Sequence, residues 1–306
     1  MATILITGFA GGLARRVARR LLDAGHAVVG VDYRDAPAMD GVTLYRASYD
    51  KTAIEDVFRK HAFSAVLHLG RVGNLSKQVE RRFELNVLGT QKILTLCRAH
   101  GVATLVVLST FHIYGAHPRN HTPISEQDPL RAGYDFPQIA DAIQLDNMAS
   151  TWVYQYPEVR VVVLRPVNVV GPTIKNSMST LLRLPRVPYL AGFNPMMQFV
   201  HEDDLAAAVE AAMHGSARGV FNVAGSDVIP WRTALDLAEL KTFPIPGSLV
   251  SLYLRTISAF PGYLVNFFKY PCVITDQEFR RTFGWQPVVG ARETLRSITG
   301  ATSDLG

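Results

Sequence analysis

The stretch Thr3-Ile4-Leu5-Ile6-Thr7-Gly8-Phe9-Ala10-Gly11-Gly12 decides the fold. Its first five residues are a short apolar run, as a strand buried on both faces requires. Glycines interrupt the run, and residues 13–22 continue with apolar positions at helical spacing. A strand that passes through a glycine turn into a helix aims backbone N–H groups at a phosphate. Gly8 permits the tight turn, and Gly11 lets the backbone approach a pyrophosphate. A second apolar run, residues 27–31, ends on Asp32 about 20 residues later, where a carboxylate accepts from adenosine ribose hydroxyls. Loop, flanking elements and acid together predict a dinucleotide site made by Gly8, Phe9, Ala10, Gly11, Gly12, Leu13, Asp32, Tyr33 and Arg34. Asp32 repels a 2′-phosphate, so NAD is expected over NADP, while Arg34 keeps NADP open. Ala14 stands where a third glycine would sit; Arg15 is placed to touch a phosphate, and Arg19 and Arg20 read as a solvated basic face.

Outward from this stretch, strand-length runs at 65–69, 105–109 and 160–164 alternate with helical patterns at 52–61, 80–100 and 139–154. Such alternation implies right-handed crossovers and a parallel sheet with helices on both faces: an α/β, doubly wound (Rossmann) fold. The expected organisation is a nucleotide-binding domain over 1–172, rejoined by 199–225, and a smaller C-terminal substrate lobe from 173–198 and 226–306. Residues 246–270 are rich in Leu, Ile, Val and Phe, which predicts lobe core and the wall of a substrate cleft, with an apolar ligand as an open alternative.

At 306 residues, 48% hydrophobic and 19% charged, the chain suits a protein with a large core. A net charge of +5 without a polybasic tail argues against nucleic acid. Cys97 and Cys272 fit no metal-ligand spacing and read as free buried thiols in a reducing compartment. A strand beginning at residue 3 leaves no room for a signal peptide, and no run of about 18 apolar residues predicts a membrane span. A cytoplasmic protein is expected.

Several further motifs stand in order. They are His68-Leu69-Gly70-Arg71, Asn86-Val87-Leu88-Gly89-Thr90, Ser109-Thr110-Phe111-His112-Ile113-Tyr114-Gly115, Leu164-Arg165-Pro166-Val167-Asn168-Val169-Val170-Gly171-Pro172, Phe199-Val200-His201-Glu202-Asp203-Asp204 and Phe283-Gly284-Trp285-Gln286-Pro287. With the opening loop, they resemble the extended short-chain dehydrogenase/reductases of the epimerase/dehydratase group across nearly the full length. The resemblance implies that Ser48, Leu69, Gly70, Arg71, Asn86 and Val167 join the cofactor site. It further implies Thr110 as a catalytic hydroxyl, Thr110, Gln138, Asn168 and Met197 as substrate contacts, and a homodimer built from helices 80–100 and 139–154. Leu85, Leu88, Ile93 and Leu96 on one helix, and Ile143, Leu145 and Trp152 on the other, exceed what one sheet face would hide.

Departures from the resembling pattern bear on chemistry. The Tyr and Lys four residues apart that move and polarise the proton in such enzymes are replaced. One register pairs Tyr134 with Gln138; another, anchored on Asp146, puts Gln138 and Ala142 at the two positions. Either way the ammonium is gone. Met197 stands where an Arg often meets a diphosphate, and Ala47 replaces the first acid of the adenine-framing motif that ends on Asp50. His112 and Tyr134 are the substitute acid/base candidates, and Asp135 and Asp141 read as helix-start and surface acids. His201 with Asp203 and Asp204 reads as helix capping, and no metal is expected. Two readings stay open: an atypical or weak enzyme using NAD(P) on a small apolar or sugar-derived substrate, and a non-catalytic NAD(H)-binding sensor or scaffold.

Overall fold

The computed structural model describes residues 1–72, 79–249 and 262–300, apart from the side chains of Tyr134 and Thr299. Strands β1 (Thr3–Thr7), β2 (Ala27–Asp32), β3 (Val42–Arg46), β4 (Ala65–His68), β5 (Thr104–Leu108) and β6 (Arg160–Pro166) lie in one sheet. Three short strands follow, β7 (Asn168–Val170), β8 (Val187–Leu190) and β9 (Met196–His201), before β10 (Gly219–Val223) closes the large sheet. Its order is β3-β2-β1-β4-β5-β6-β10, seven strands, every neighbouring pair parallel. The order reverses direction at β1, and in open α/β sheets ligands bind beyond the carboxyl ends of the strands at that point.

Alternate β1 residues serve opposite faces. Ile4 and Ile6 pack with Val17, Leu21, Leu205 and Val209 from helices Gly12–Asp23 and Glu202–His214. Leu5 packs on the other side with residues of Ala53–Lys60, Gly89–Ala99 and Ala140–Gln155. The Gly12–Asp23 helix does not leave its basic face bare: Arg16 meets Glu202 and Asp203, each at 2.8 Å, and Arg20 meets Glu210 at 2.6 Å. Only Arg19 of that face is exposed without an ion pair among the described residues.

Residues 196–201 lie outside the large sheet. β9 pairs parallel with β7 and antiparallel with β11 (Val228–Pro230), and β8 pairs with β12 (Thr242–Ile245). The chain returns through the Glu202–His214 helix and β10 alone. The helix expected at 80–100 is real but irregular: α-helix Val79–Phe83, π-helix Glu84–Leu88 and α-helix Gly89–Ala99 run on without a break. Among the described residues, no helix is long and apolar enough to cross a membrane.

Candidate functional site

The turn after β1 is possible because Gly8 has φ +75° and because a Cβ there would lie 2.5 Å from Gly70 Cα. Two loops therefore touch backbone to backbone. The Gly8 N–H donates to the Tyr49 hydroxyl (2.9 Å), and the Ala10 N–H donates to Asp32 Oδ2 (2.9 Å). Asp32 is buried, and its Oδ1 accepts from the Arg34 backbone N–H at 2.9 Å while the Arg34 guanidinium reaches both oxygens at 3.2 Å. The following helix, Gly12–Asp23, starts without a side-chain cap and without an acid in its first turn. Its unsatisfied N–H groups and positive dipole end thus favour an anion. At Gly12 a Cβ would collide with Thr173 Oγ1 at 2.1 Å, so the segment after β7 closes over the helix start.

These elements enclose a cleft with a cavity volume of about 680 Å³. Of the expected cofactor residues, Gly8, Ala10, Gly11, Gly12, Asp32, Tyr33, Arg34, Leu69, Gly70 and Arg71 line it. Phe9 does not; its ring is buried over Gly30, where a Cβ would sit 2.6 Å from it. Leu13 is likewise core, because the first inward helical position is needed for packing. Ser48 stands back from the cleft, bonded to Asp50 and Arg81, and Val167 lines a second cleft instead. Burial would raise the Asp50 carboxyl, but hydrogen bonds from Ser48 and Lys51 outweigh it and hold it below its ordinary range. Tyr49, Thr173 and Lys175 also line the cleft, and sequence reasoning missed all three. Burial drives the Tyr49 phenol's pKa upward, so it remains protonated.

Behind the cleft a hydrogen-bonded line fixes the loop after β4. Thr90 Oγ1 donates to the Asn86 carbonyl (2.6 Å), so toward His68 it acts as acceptor, and His68 Nε2 must carry the proton (2.9 Å). His68 Nδ1 then accepts from Thr7 Oγ1 at 2.7 Å, and Thr7 accepts from the Gly70 N–H at 3.3 Å. Burial lowers the His68 pKa to about 4, so the ring is neutral. Asn86, in the π-turn, is buried rather than in the cleft. Its side chain accepts from Val72 N (2.8 Å) and donates to Val72 O (3.0 Å) and Asp141 Oδ2 (2.6 Å). Asp141 is no surface acid. It is buried in a two-pronged pair with Arg82, at 3.0 and 2.9 Å, while Arg82 also donates to the Gln138 carbonyl at 2.6 Å.

The second cleft, about 110 Å³, adjoins the first, and Arg71 lines both. Thr110, buried, caps the turn Phe111–Tyr114 and lies 2.9 Å from His112 Nδ1. Burial, with the nearby Arg71 charge, lowers His112 to about 3, which leaves a neutral imidazole and a poor proton acceptor. Asn168 lines this cleft and donates to the Gln198 carbonyl at 3.0 Å. Tyr263 and Phe267 from turn Gly262–Phe268 close it, each edge-on to the His112 ring, at centroid distances of 6.1 and 4.8 Å. The apolar residues at 250–261 lie outside the described residues.

The helix Ala140–Gln155 presents Ala142 to this cleft, one turn before Asp146. Asp146 is fully buried between Arg165 (2.6 and 3.0 Å) and Ser109 (2.5 Å), which pins the helix to β6. Gln138, expected at the substrate, is exposed in a turn before the helix and lines neither cleft. Met197 faces a separate small pocket with Phe111 and Cys272. The Tyr134 side chain lies outside the described residues; its backbone belongs to helix Ala132–Asp135, and Asp135 is exposed. His117 Nδ1 accepts from Arg119 N at 3.1 Å, and His201 caps Glu202–His214 by accepting from Asp203 N at 3.2 Å.

Comparison with known proteins agrees with this architecture. The chain is 27% identical over 259 residues to an uncharacterized protein of Mycobacterium tuberculosis, covering 80% of this chain and 68% of that one. It is 28% identical over 150 residues to the UDP-glucose 4-epimerase of Mus musculus, covering 42% and 43%. Its fold matches the Thermus thermophilus UDP-glucose 4-epimerase in complex with NAD, with a TM-score of 0.80 and 23% identity over 99% of this chain and 100% of that one. It also matches a Bacillus anthracis dTDP-glucose 4,6-dehydratase in complex with NAD, with a TM-score of 0.79 and 16% identity over 100% and 97%. Residues 4–224 match the model of one family throughout, and the chain belongs to the NAD dependent epimerase/dehydratase family.

Proposed function

We propose that this protein binds NAD(H) in the larger cleft and acts, weakly or atypically, on a small apolar or sugar-derived molecule in the smaller one. The observation that carries the reading is the uncapped, acid-free start of helix Gly12–Asp23 facing the buried Asp32 carboxylate across one cleft. The first suits a pyrophosphate and the second a ribose diol. The nicotinamide, when bound, accepts or returns a hydride; the residues of the chain bind and orient it. Ala142 in the smaller cleft supports placing the missing ammonium at that position, in the register anchored on Asp146. Thr110 remains as a hydroxyl for substrate.

The neutral state of His112 favours the second reading, a non-catalytic NAD(H) sensor, because a ring with a pKa of about 3 is a weak general base at neutral pH. We also propose a homodimer through helices 79–99 and 140–155. Leu85, Ile93 and Leu145 are spent on the core, but Val79, Phe83 and Leu88 remain exposed on one of the two helices. Calorimetric titration with NAD and NADP, followed by nicotinamide absorbance with candidate alcohols and carbonyls, tests the function. Heat with NAD and a raised melting temperature are expected. No heat with either nucleotide sinks the cofactor assignment, and hydride exchange at ordinary family rates sinks the weakened chemistry. A monomer mass by light scattering at micromolar concentration rules out the dimer.

A further inference from the structure

Arg71 is the only formally charged residue among the described residues lining the smaller cleft. The surrounding wall is Leu108, Ile139, Val167, Met178, Tyr263 and Phe267, with neutral polar groups such as Thr110 and Asn168. No hydrogen bond or ion pair from the Arg71 guanidinium occurs among the described residues, whereas the buried Arg82 and Arg165 each hold a carboxylate in two prongs. Asp141, the acid that acts on Arg71 through space, is already bonded to Arg82 and Asn86. Arg71, Arg82 and Asp141 together therefore carry one uncompensated positive charge. Desolvation lowers the Arg71 pKa, yet an arginine stays charged in proteins, so the cleft holds a cation with no anion paired to it among the described residues.

The dinucleotide does not supply that anion as readily as a substrate does. The larger cleft has its own cations in Arg15 and Lys175 beside the phosphate loop, and neither reaches the smaller cleft. A nucleoside diphosphate fits the smaller cleft poorly, since its second charge would lie against Leu, Met and Phe.

We propose that the smaller cleft is a receptor for a small apolar carboxylate, whose anionic end is held by the Arg71 guanidinium and whose body packs on Tyr263, Phe267 and Met178. This rests on reading that cleft as the substrate end of the site. The guanidinium fork matches a carboxylate with two parallel hydrogen bonds.

The test is calorimetric titration of the full chain, saturated with NADH, with 3-methylbutanoate and phenylacetate and with their uncharged amides. The amides keep the shape and remove the charge. A charge-assisted pair predicts that each carboxylate binds roughly 10- to 100-fold more tightly than its amide. Arg71→Gln should bring that ratio near one, and Arg71→Lys should keep part of it. NADH affinity is read separately for each variant from nicotinamide fluorescence, so that the carboxylate-to-amide ratio is compared at saturating NADH throughout. Equal binding of acid and amide, or no binding of either, overturns the proposal even if no variant folds. A loss of NADH affinity in Arg71→Gln with no carboxylate discrimination assigns the residue to the cofactor and overturns it too. Carboxylate discrimination by a protein that binds no NADH leaves the receptor standing and removes the cofactor reading.

Discussion

Lowering the pH from 8 to 5 should cost this protein stability through one buried ring. His68 sits between Thr7 and Thr90, and both of its nitrogens are already used, Nε2 as donor and Nδ1 as acceptor. A second proton on Nδ1 would face a threonine oxygen that must then turn its own proton elsewhere, on a ring buried away from the surface. Burial accordingly lowers the pKa from 6.5 to about 4. The unfolded chain takes up this proton near 6.5 and the folded chain near 4, so stability falls as pH drops through that window and stops falling, on this account, below it. The difference amounts to about 2 kcal/mol at pH 5 and about 3 kcal/mol below pH 4, by the linkage relation. That is a sizeable part of a typical net stability of roughly 5–15 kcal/mol. Urea unfolding of the native chain and of His68→Gln at pH 8 and pH 5 isolates the contribution. The variant should start less stable yet lose about 2 kcal/mol less between the two pH values. An identical pH slope in both proteins, or an imidazole signal of His68 titrating near 6.5 in the folded state, would refute the reasoning.

Three further outcomes are expected. Asp32→Ala removes the acceptor of the Ala10 N–H and the proposed ribose partner, so NAD should bind at least roughly tenfold more weakly, with NADP less affected; calorimetry that finds the opposite order reverses the cofactor preference. Tyr49→Phe leaves the buried Gly8 N–H without its acceptor and should lower stability by about 1–3 kcal/mol, and a thermal midpoint equal to the native one shows that the bond does not matter. Ala142→Lys, which puts an ammonium in the smaller cleft, should raise hydride transfer by roughly two orders of magnitude, while Gln138→Lys, at an exposed position that lines neither cleft, should do nothing; activity from the latter restores Tyr134 as the partner.

The large sheet was legible because its strands are continuous apolar runs, and the phosphate loop because glycine and Asp32 act through backbone geometry that fixed spacing preserves. β3 was not legible. It is an edge strand, Val42-Thr43-Leu44-Tyr45-Arg46, only partly buried, and carries too few apolar residues to stand out. Side-chain direction was the second blind spot: the fingerprint marks Phe9 and Leu13 as loop neighbours, but both are turned into the core. Tyr49 and the Arg82–Asp141 pair depend on contacts 41 and 59 residues apart, for which no local period exists. An aspartate at the start of a helix looks like any surface acid until the helix it meets is known. Arg71 stands out in the sequence by its place after β4, but its position between two clefts, with no carboxylate bonded to it among the described residues, is a property of the assembled fold alone.

The π-turn at Glu84–Leu88 sets two registers within one helix. Each residue of an α-helix advances its neighbour by about 100° around the axis, and a π-turn accommodates the equivalent of one additional residue. Residues 89–99 keep Ile93, Leu94 and Cys97 against the sheet, while 79–83 are turned so that Arg82 reaches Asp141. A chain shortened by one residue within 84–88 would regain a regular helix but swing Arg82 about a quarter-turn from its partner. The irregular segment thus works as a phase shifter, letting a single rod serve the core along most of its length and the Arg82–Asp141 pair at its tip.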